Sequence, residues 1–213
     1  MHTANDLRID NCAFCFIDHQ PFVAFPVTSI APEVLQNNVA GLAKVARALA
    51  IPTVLTTIMA RGGPLADPLF MQLAAQFPDV VPIDRRNTNA WADPAFVAAI
   101  EATGRRKLVL CGLWTEVCLA QTALSALRAG YEVYYVSDCS GGVSLEAHED
   151  AKRRMAQTGA VPITWMAVMA ELCPDNTSAE YQRLYPVVLE HGAGVGMAVQ
   201  YVLAQLPAAA AAG

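Results

Sequence analysis

Cys118 closes the stretch Lys107-Leu-Val-Leu-Cys-Gly-Leu-Trp-Thr-Glu-Val-Cys118, where an apolar run passes directly into a helical pattern. The run reads as a buried strand over 108–113 and a helix over 116–129, with Thr115 where an N-cap belongs and Cys118 at the third helical position. A thiol there faces unpaired backbone N–H groups and the positive end of the helix dipole. Both lower its pKa, and the thiolate is the reactive form. Cys118 is therefore a candidate nucleophile, set against the plainer reading of a small buried apolar residue, which most free cysteines are. Asp18 follows Phe14-Cys15-Phe16-Ile17, so an ionisable group emerges from an apolar strand; strand-end aspartates also cap loops. A carboxylate beside a thiol can take its proton and later activate water. A nearby cation would keep that carboxylate ionised and polarise a substrate carbonyl, and Arg85 and Arg86 are the candidates.

These residues need a scaffold that gathers strand ends. Strands are expected at 12–17, 53–59, near 80–83, at 108–113, 132–137 and 161–164, with helices over 32–49, 67–76, 93–101, 116–129 and 146–158. One or two more helices follow, around 179–191 and 195–205, and the Ala-rich end reads as a disordered or frayed tail over 208–213. Strands alternating with helices imply a doubly wound, mostly parallel sheet with helices on both faces and right-handed crossovers. Such folds hold their site outside the carboxyl ends of the strands, where strand order reverses. Asp18, the Arg85-Arg86 pair and Cys118 should collect along that edge. Cys12 and Cys15 formally make a CxxC, but residues three apart on a strand point to opposite faces, so both read as core packing.

The 213 residues fit a single α/β domain, residues 1–213. A 54% hydrophobic and 15% charged composition is apolar for a soluble monomer, where about a quarter is charged, and points to a homo-oligomer. The net charge of −5 leaves no basic footprint for nucleic acid or an anionic membrane surface. No apolar run approaches the roughly 20 residues of a membrane span, and the N-terminus has no secretory pattern. A cytoplasmic protein with reduced cysteines is expected.

Asp-His-Gln at 18–20, Asn89-Ala-Trp91, Gly112-Leu-Trp-Thr-Glu-Val-Cys118 and Ser137-Asp-Cys-Ser-Gly-Gly142 together resemble the isochorismatase-like cysteine hydrolases, nearest to their YcaC-like branch, over about residues 10–170. The resemblance implies a six-stranded parallel sheet and an Asp–Lys–Cys triad. Asp18 and Cys118 match that triad, and the lysine position falls on Arg85, with Arg86 competing for it. An arginine could orient Asp18 but not relay protons. The resemblance further implies a non-proline cis peptide before Thr115, at Trp114–Thr115, with the N–H groups of Thr115–Cys118 forming an oxyanion hole. Gln20, Asn89 and Thr115 join the substrate-binding set. Phe22, Phe25, Trp91 and Trp114 lie near the catalytic candidates and either line an acyl pocket or pack at a subunit interface.

The nicotinamidase branch holds a metal through histidines absent from the corresponding 56–64 segment here. His2, His19, His148 and His191 are scattered without ligand spacing, so no metal and no cofactor is expected. His19 points away from Asp18 on a strand and reads as a packing group. The reading is a cofactor-free hydrolase of C–N bonds in small amides or related carbonyl compounds, with Cys118 attacking, Asp18 as base and Arg85 fixing Asp18. The alternative within enzymes is vinyl-ether cleavage without a cysteine, and outside them a non-catalytic oligomeric binding or thiol-redox protein on the same scaffold. The partners expected are a small-molecule substrate and further copies of the chain, an octamer by resemblance, with no nucleic acid and no membrane.

Overall fold

The computed structural model describes residues 7–61 and 67–205. His2, the N-terminal residues, most of the expected turn at 61–64 and the expected tail at 208–213 lie outside them. In chain order the elements are β1 (Cys12–Ile17), α1 (Pro21–Ala24), α2 (Pro32–Ala48), β2 (Thr53–Ile58), α3 (Met71–Ala74), β3 (Ile83–Arg85), α4 (Pro94–Ala102), β4 (Lys107–Gly112), α5 (Ala120–Arg128), β5 (Glu132–Val136), α6 (Leu145–Gln157), β6 (Val161–Ile163), α7 (Trp165–Leu172), α8 (Ala179–His191) and α9 (Ala193–Gln205).

Six parallel strands pair in the order β3-β2-β1-β4-β5-β6. β1 and β4 are wholly buried, as strands covered on both faces must be, and their side chains alternate between two cores. Cys12, Phe14 and Phe16 join the core under α2, α3, α7 and α8, whereas Ala13, Cys15 and Ile17 join the one under α4, α5 and α6. The CxxC cysteines thus lie on opposite faces of the sheet. Strand order reverses between β1 and β4, and the crevice there is where this architecture binds ligands. α9 packs on α8, and among the described residues no single helix is long and apolar enough to cross a membrane.

Three local expectations are corrected. The helix expected over 67–76 is only the turn Met71–Ala74, because the chain before it is tied to the end of β1: Phe70 N–H donates to the His19 carbonyl (2.7 Å) and the Asp67 carboxylate accepts from Phe22 N–H (2.5 Å). The third strand lies at Ile83–Arg85 rather than 80–83, in register with Thr56–Ile58, so Arg85 ends the strand instead of following it. The helix expected from 116 opens as a five-residue π turn, Thr115–Leu119, and α5 proper begins at Ala120. α7 has no counterpart among the expected helices; its apolar Trp165–Leu172 sequence follows β6 after the single residue Thr164, whose side chain makes no cap bond.

Candidate active site

Asp18 takes a left-handed backbone conformation (φ 58°), which aspartate tolerates better than most side chains. Its N–H still donates to the Thr56 carbonyl (3.1 Å), while its own carbonyl accepts from Gln20 N–H (2.8 Å). The chain therefore turns off the sheet at this residue, with the carboxylate at the β1–β4 seam. Thr56 Oγ1 donates to Oδ1 (2.9 Å), the Arg85 guanidinium pairs through Nη2 with Oδ2, and the Cys118 thiol lies within interaction range of the same carboxyl group.

Arg85 reaches Asp18 from β3, across β2, with its side chain 0% exposed. Its other terminal nitrogen donates to the Asn87 and Thr88 carbonyls. Arg86 is exposed, so Arg85 is the arginine at this seam. Asp84, beside it, holds the end of β2 in place by accepting from Thr57 Oγ1 (3.0 Å) and the Ala60 and Arg61 amides (2.7 and 3.1 Å).

Cys118 sits in the π turn after β4, 5% exposed, at the edge of a pocket of about 450 Å³. Phe22, Val23, Phe25, Pro26, Ile58, Thr88, Leu113, Trp114 and Val117 line it with Cys118. The Trp114 ring is fixed by its Nε1 donating to the Val23 carbonyl (2.7 Å), so this part of the lining is preformed.

The electrostatics run opposite to the expectation from helix position. Burial, and then the Asp18 carboxylate, push the Cys118 thiol up to about 12, with Arg85 opposing. The α-helix proper starts two residues after the cysteine, and the thiol sees a buried negative group at closer range. The resting species is a neutral thiol. Burial also raises Asp18, opposed by Arg85, Cys118 and Thr56.

The isochorismatase domain model matches residues 12–167. The chain belongs to the isochorismatase family. It is 40% identical over 172 residues to a protein of Escherichia coli (strain K12) named probable hydrolase YcaC, covering 79% of this chain and 82% of that one. The crystal structure of the E. coli YcaC gene product, described as an octameric hydrolase of unknown specificity, superposes with a TM-score of 0.88 at 34% identity over 96% of this chain and 100% of its own. YcaC from Pseudomonas aeruginosa, with hexane-2,5-diol and covalent acrylamide, superposes with a TM-score of 0.88 at 33% identity, covering 95% and 99%.

Several residues named from motifs in this isochorismatase-family chain are engaged elsewhere. Gln20 is fully buried and clamps β2 to the 67–70 segment: its amide nitrogen donates to the Ile58 and Asp67 carbonyls (3.3 and 3.0 Å) and its oxygen accepts from Ile58 N–H (2.7 Å). Asn89 caps a short 3-10 turn, accepting from Trp91 N–H (3.1 Å) and donating to Ser125 Oγ (3.0 Å). That turn sends Trp91 against Phe96 and Tyr131, with ring centroids 6.0 and 5.2 Å away, outside the pocket. Thr115 does not line the pocket either, nor does it cap a helix: its hydroxyl bonds His148 Nδ1 (2.9 Å) and its N–H donates to the Gly141 carbonyl (2.9 Å). Phe22, Phe25 and Trp114 remain as the aromatic lining.

The cis peptide is Leu113–Trp114, one bond earlier than expected. The next bond is trans, with Thr115 N–H on Gly141 and the Trp114 carbonyl accepting from Val117 N–H (3.1 Å) and Leu119 N–H (3.3 Å). The amides of Thr115 and Val117 are thus committed, which corrects the four-amide oxyanion hole and leaves Glu116 and Cys118 as its candidates.

His19 is buried and neutral, its pKa pushed down to about 4 by burial, with its ring against Phe16 and Phe70 and Nε2 2.9 Å from the Cys139 carbonyl. Among the described residues no group of three His, Cys, Asp or Glu side chains could hold a metal ion. Sequence reasoning missed Thr56, whose hydroxyl is a polar group inside a buried strand and was the available signal. It also missed His148, which no local pattern marks.

Proposed function

We propose that this chain is a cofactor-free cysteine hydrolase that cleaves C–N bonds of small amides or related carbonyl compounds. The observation that carries the reading is the Cys118 thiol within interaction range of the Asp18 carboxylate and lining an apolar pocket. Sγ attacks the substrate carbonyl carbon as its proton passes to Asp18. A thiol that resists free ionisation loses its proton only as the C–S bond forms, so the nucleophile is released where substrate is bound. The tetrahedral oxyanion is met by backbone N–H groups of the π turn. Collapse breaks the C–N bond, and Asp18 returns the proton to the departing amine. Asp18 then takes a proton from water as it attacks the thioester, the C–S bond breaks, and the proton goes back to sulfur. Arg85 fixes the carboxylate throughout and, as arginine, stays charged.

The covalent acrylamide in the P. aeruginosa relative supports the presence of a nucleophile in this branch. The raised thiol pKa weakens the thiol-redox alternative, which needs a ready thiolate. A homo-oligomer accords with Phe22 and Phe25, which line the pocket at 56% and 90% exposure, with Met71 at 80% exposure, and with the octamer of the E. coli relative. We place the protein in the cytoplasm on its six free cysteines, all buried.

Intact-mass spectrometry during incubation with a panel of small amides tests the reading, wild type beside Cys118→Ala. An acyl increment and substrate loss are expected for the wild type alone. Amide turnover that survives Cys118→Ala overturns it.

A further inference from the structure

We infer that the substrates of this site carry an uncharged, apolar acyl group and that acyl groups bearing a carboxylate are rejected, an inference that rests on the hydrolase reading. The pocket wall is built from hydrocarbon and aromatic surface: Phe22, Phe25, Ile58, Trp114 and Val117 line the same pocket as Cys118. Among the described residues no lysine, arginine, histidine, aspartate or glutamate lines it. Thr88 is the single hydroxyl there, and it is shared with Gln121 Oε1 at 3.4 Å.

The nearest cation cannot serve a substrate carboxylate. Arg85 is 0% exposed in its side chain, and its terminal nitrogens are committed to Asp18 and to the Asn87 and Thr88 carbonyls. Arg86 is exposed and outside the lining. A carboxylate drawn into this pocket would leave water for a surface with no cation and one hydroxyl already turned to Gln121, which costs more than an apolar group gains there. A volume of about 450 Å³ falls within the range of small-molecule sites and leaves room for a medium alkyl or aryl acyl group. A dicarboxylate fits neither the polarity nor the charge of these walls. Specificity follows because one unpaired buried charge discriminates more strongly than any difference of a methylene.

The test uses two independent readouts on the full chain. The first alkylates Cys118 with iodoacetamide or iodoacetate, followed by peptide mass mapping, with glutathione as the reference thiol. The neutral reagent should be preferred by about tenfold or more beyond the ratio at glutathione. An equal ratio, or no reaction of either reagent at Cys118, overturns the inference. The second compares hexanamide with adipamate, which differs by a terminal carboxylate. Hexanamide should have the higher kcat/KM by about 100-fold or more. Phe22→Arg, which places a cation on the pocket wall, should narrow that gap by about tenfold or more. Equal or better turnover of adipamate in the wild type overturns the inference while leaving the hydrolase reading standing. Selective alkylation by the neutral reagent with neither amide hydrolysed does the reverse: the ligand class holds and the hydrolase reading falls.

Discussion

The Asp18 carboxylate lies close to the Cys118 thiol at the β1–β4 seam and, by its charge, favours the protonated thiol. The base that the reaction needs is thus also the group that keeps the nucleophile quiet at rest. Asp18→Asn removes that charge and leaves the Arg85 guanidinium beside the sulfur, and both changes favour thiolate. Alkylation of Cys118 by a neutral reagent should therefore be faster in Asp18→Asn than in the wild type, although hydrolysis is lost. In the wild type burial and Asp18 push the thiol up to about 12, so the alkylation rate should climb about tenfold per pH unit through the neutral and mildly basic range without a plateau. A rate profile levelling off near neutrality in the wild type, or slower alkylation in Asp18→Asn, would show that the carboxylate does not suppress the thiolate.

Arg85 contributes a different balance. The ion pair with Asp18 is fully buried, and breaking such a pair from one side leaves an uncompensated charge, worth about 3–5 kcal/mol of stability. Arg85→Met should lower the denaturation midpoint accordingly. Arg85→Lys restores the charge but not the second arm that reaches the Asn87 and Thr88 carbonyls, and should recover part of the loss. Activity carries the sign of the pKa shift. The working form has Asp18 ionised, burial has already raised its pKa, and Arg85 opposes that rise. Turnover should fall as pH drops through this raised value, and in Arg85→Met the acid limb should move to higher pH. An acid limb left in place by Arg85→Met would mean that some other group governs it.

The fold was legible because each strand is a short apolar run between helical patterns, and parallel pairing with both faces covered is what such runs can do. Asp18 and Cys118 were legible for the same reason, since both lie at strand ends and strand order reverses between their strands. Local pattern could not anticipate where burial would act. Helix position alone marks the Cys118 thiol as acidic, but the π turn delays the helix and an aspartate far away in sequence lies close to the sulfur. Gln20, Asn89 and Trp91 carry motif positions, yet their partners are Ile58 and Asp67, Ser125, and Phe96 and Tyr131. These contacts connect separate elements and leave no trace in spacing. Arg85 over Arg86 likewise needed the register of β3 against Thr56–Ile58, which decides which arginine faces inward.

Gly112 sets the distance between the two halves of the site. It pairs with Ile17 in the β1–β4 register, one residue before Asp18, and donates its N–H to Ser140 Oγ at 3.1 Å. A Cβ built there would lie 2.7 Å from the Ile17 Cβ and 2.9 Å from the Ile17 carbonyl oxygen, so alanine must push the ends of β1 and β4 apart. Gly112→Ala should cost about 1–3 kcal/mol of stability, as overpacking does in a filled core. Its effect on turnover should be larger than that loss implies, because the displaced strand ends carry Asp18 and lead to Cys118, and a shift of about 1 Å in reacting groups can cost about 100-fold. Gly104→Ala is the matched comparison. Gly104 has φ +66° with nothing within 4 Å of an added Cβ, so alanine there costs about 1–2 kcal/mol through backbone conformation alone. Measured at a temperature where both variants are fully folded, Gly104→Ala should keep wild-type kcat/KM while Gly112→Ala loses most of it. Equal activity in the two variants would show that the β1–β4 spacing at Gly112 does not control the alignment of Asp18 with Cys118.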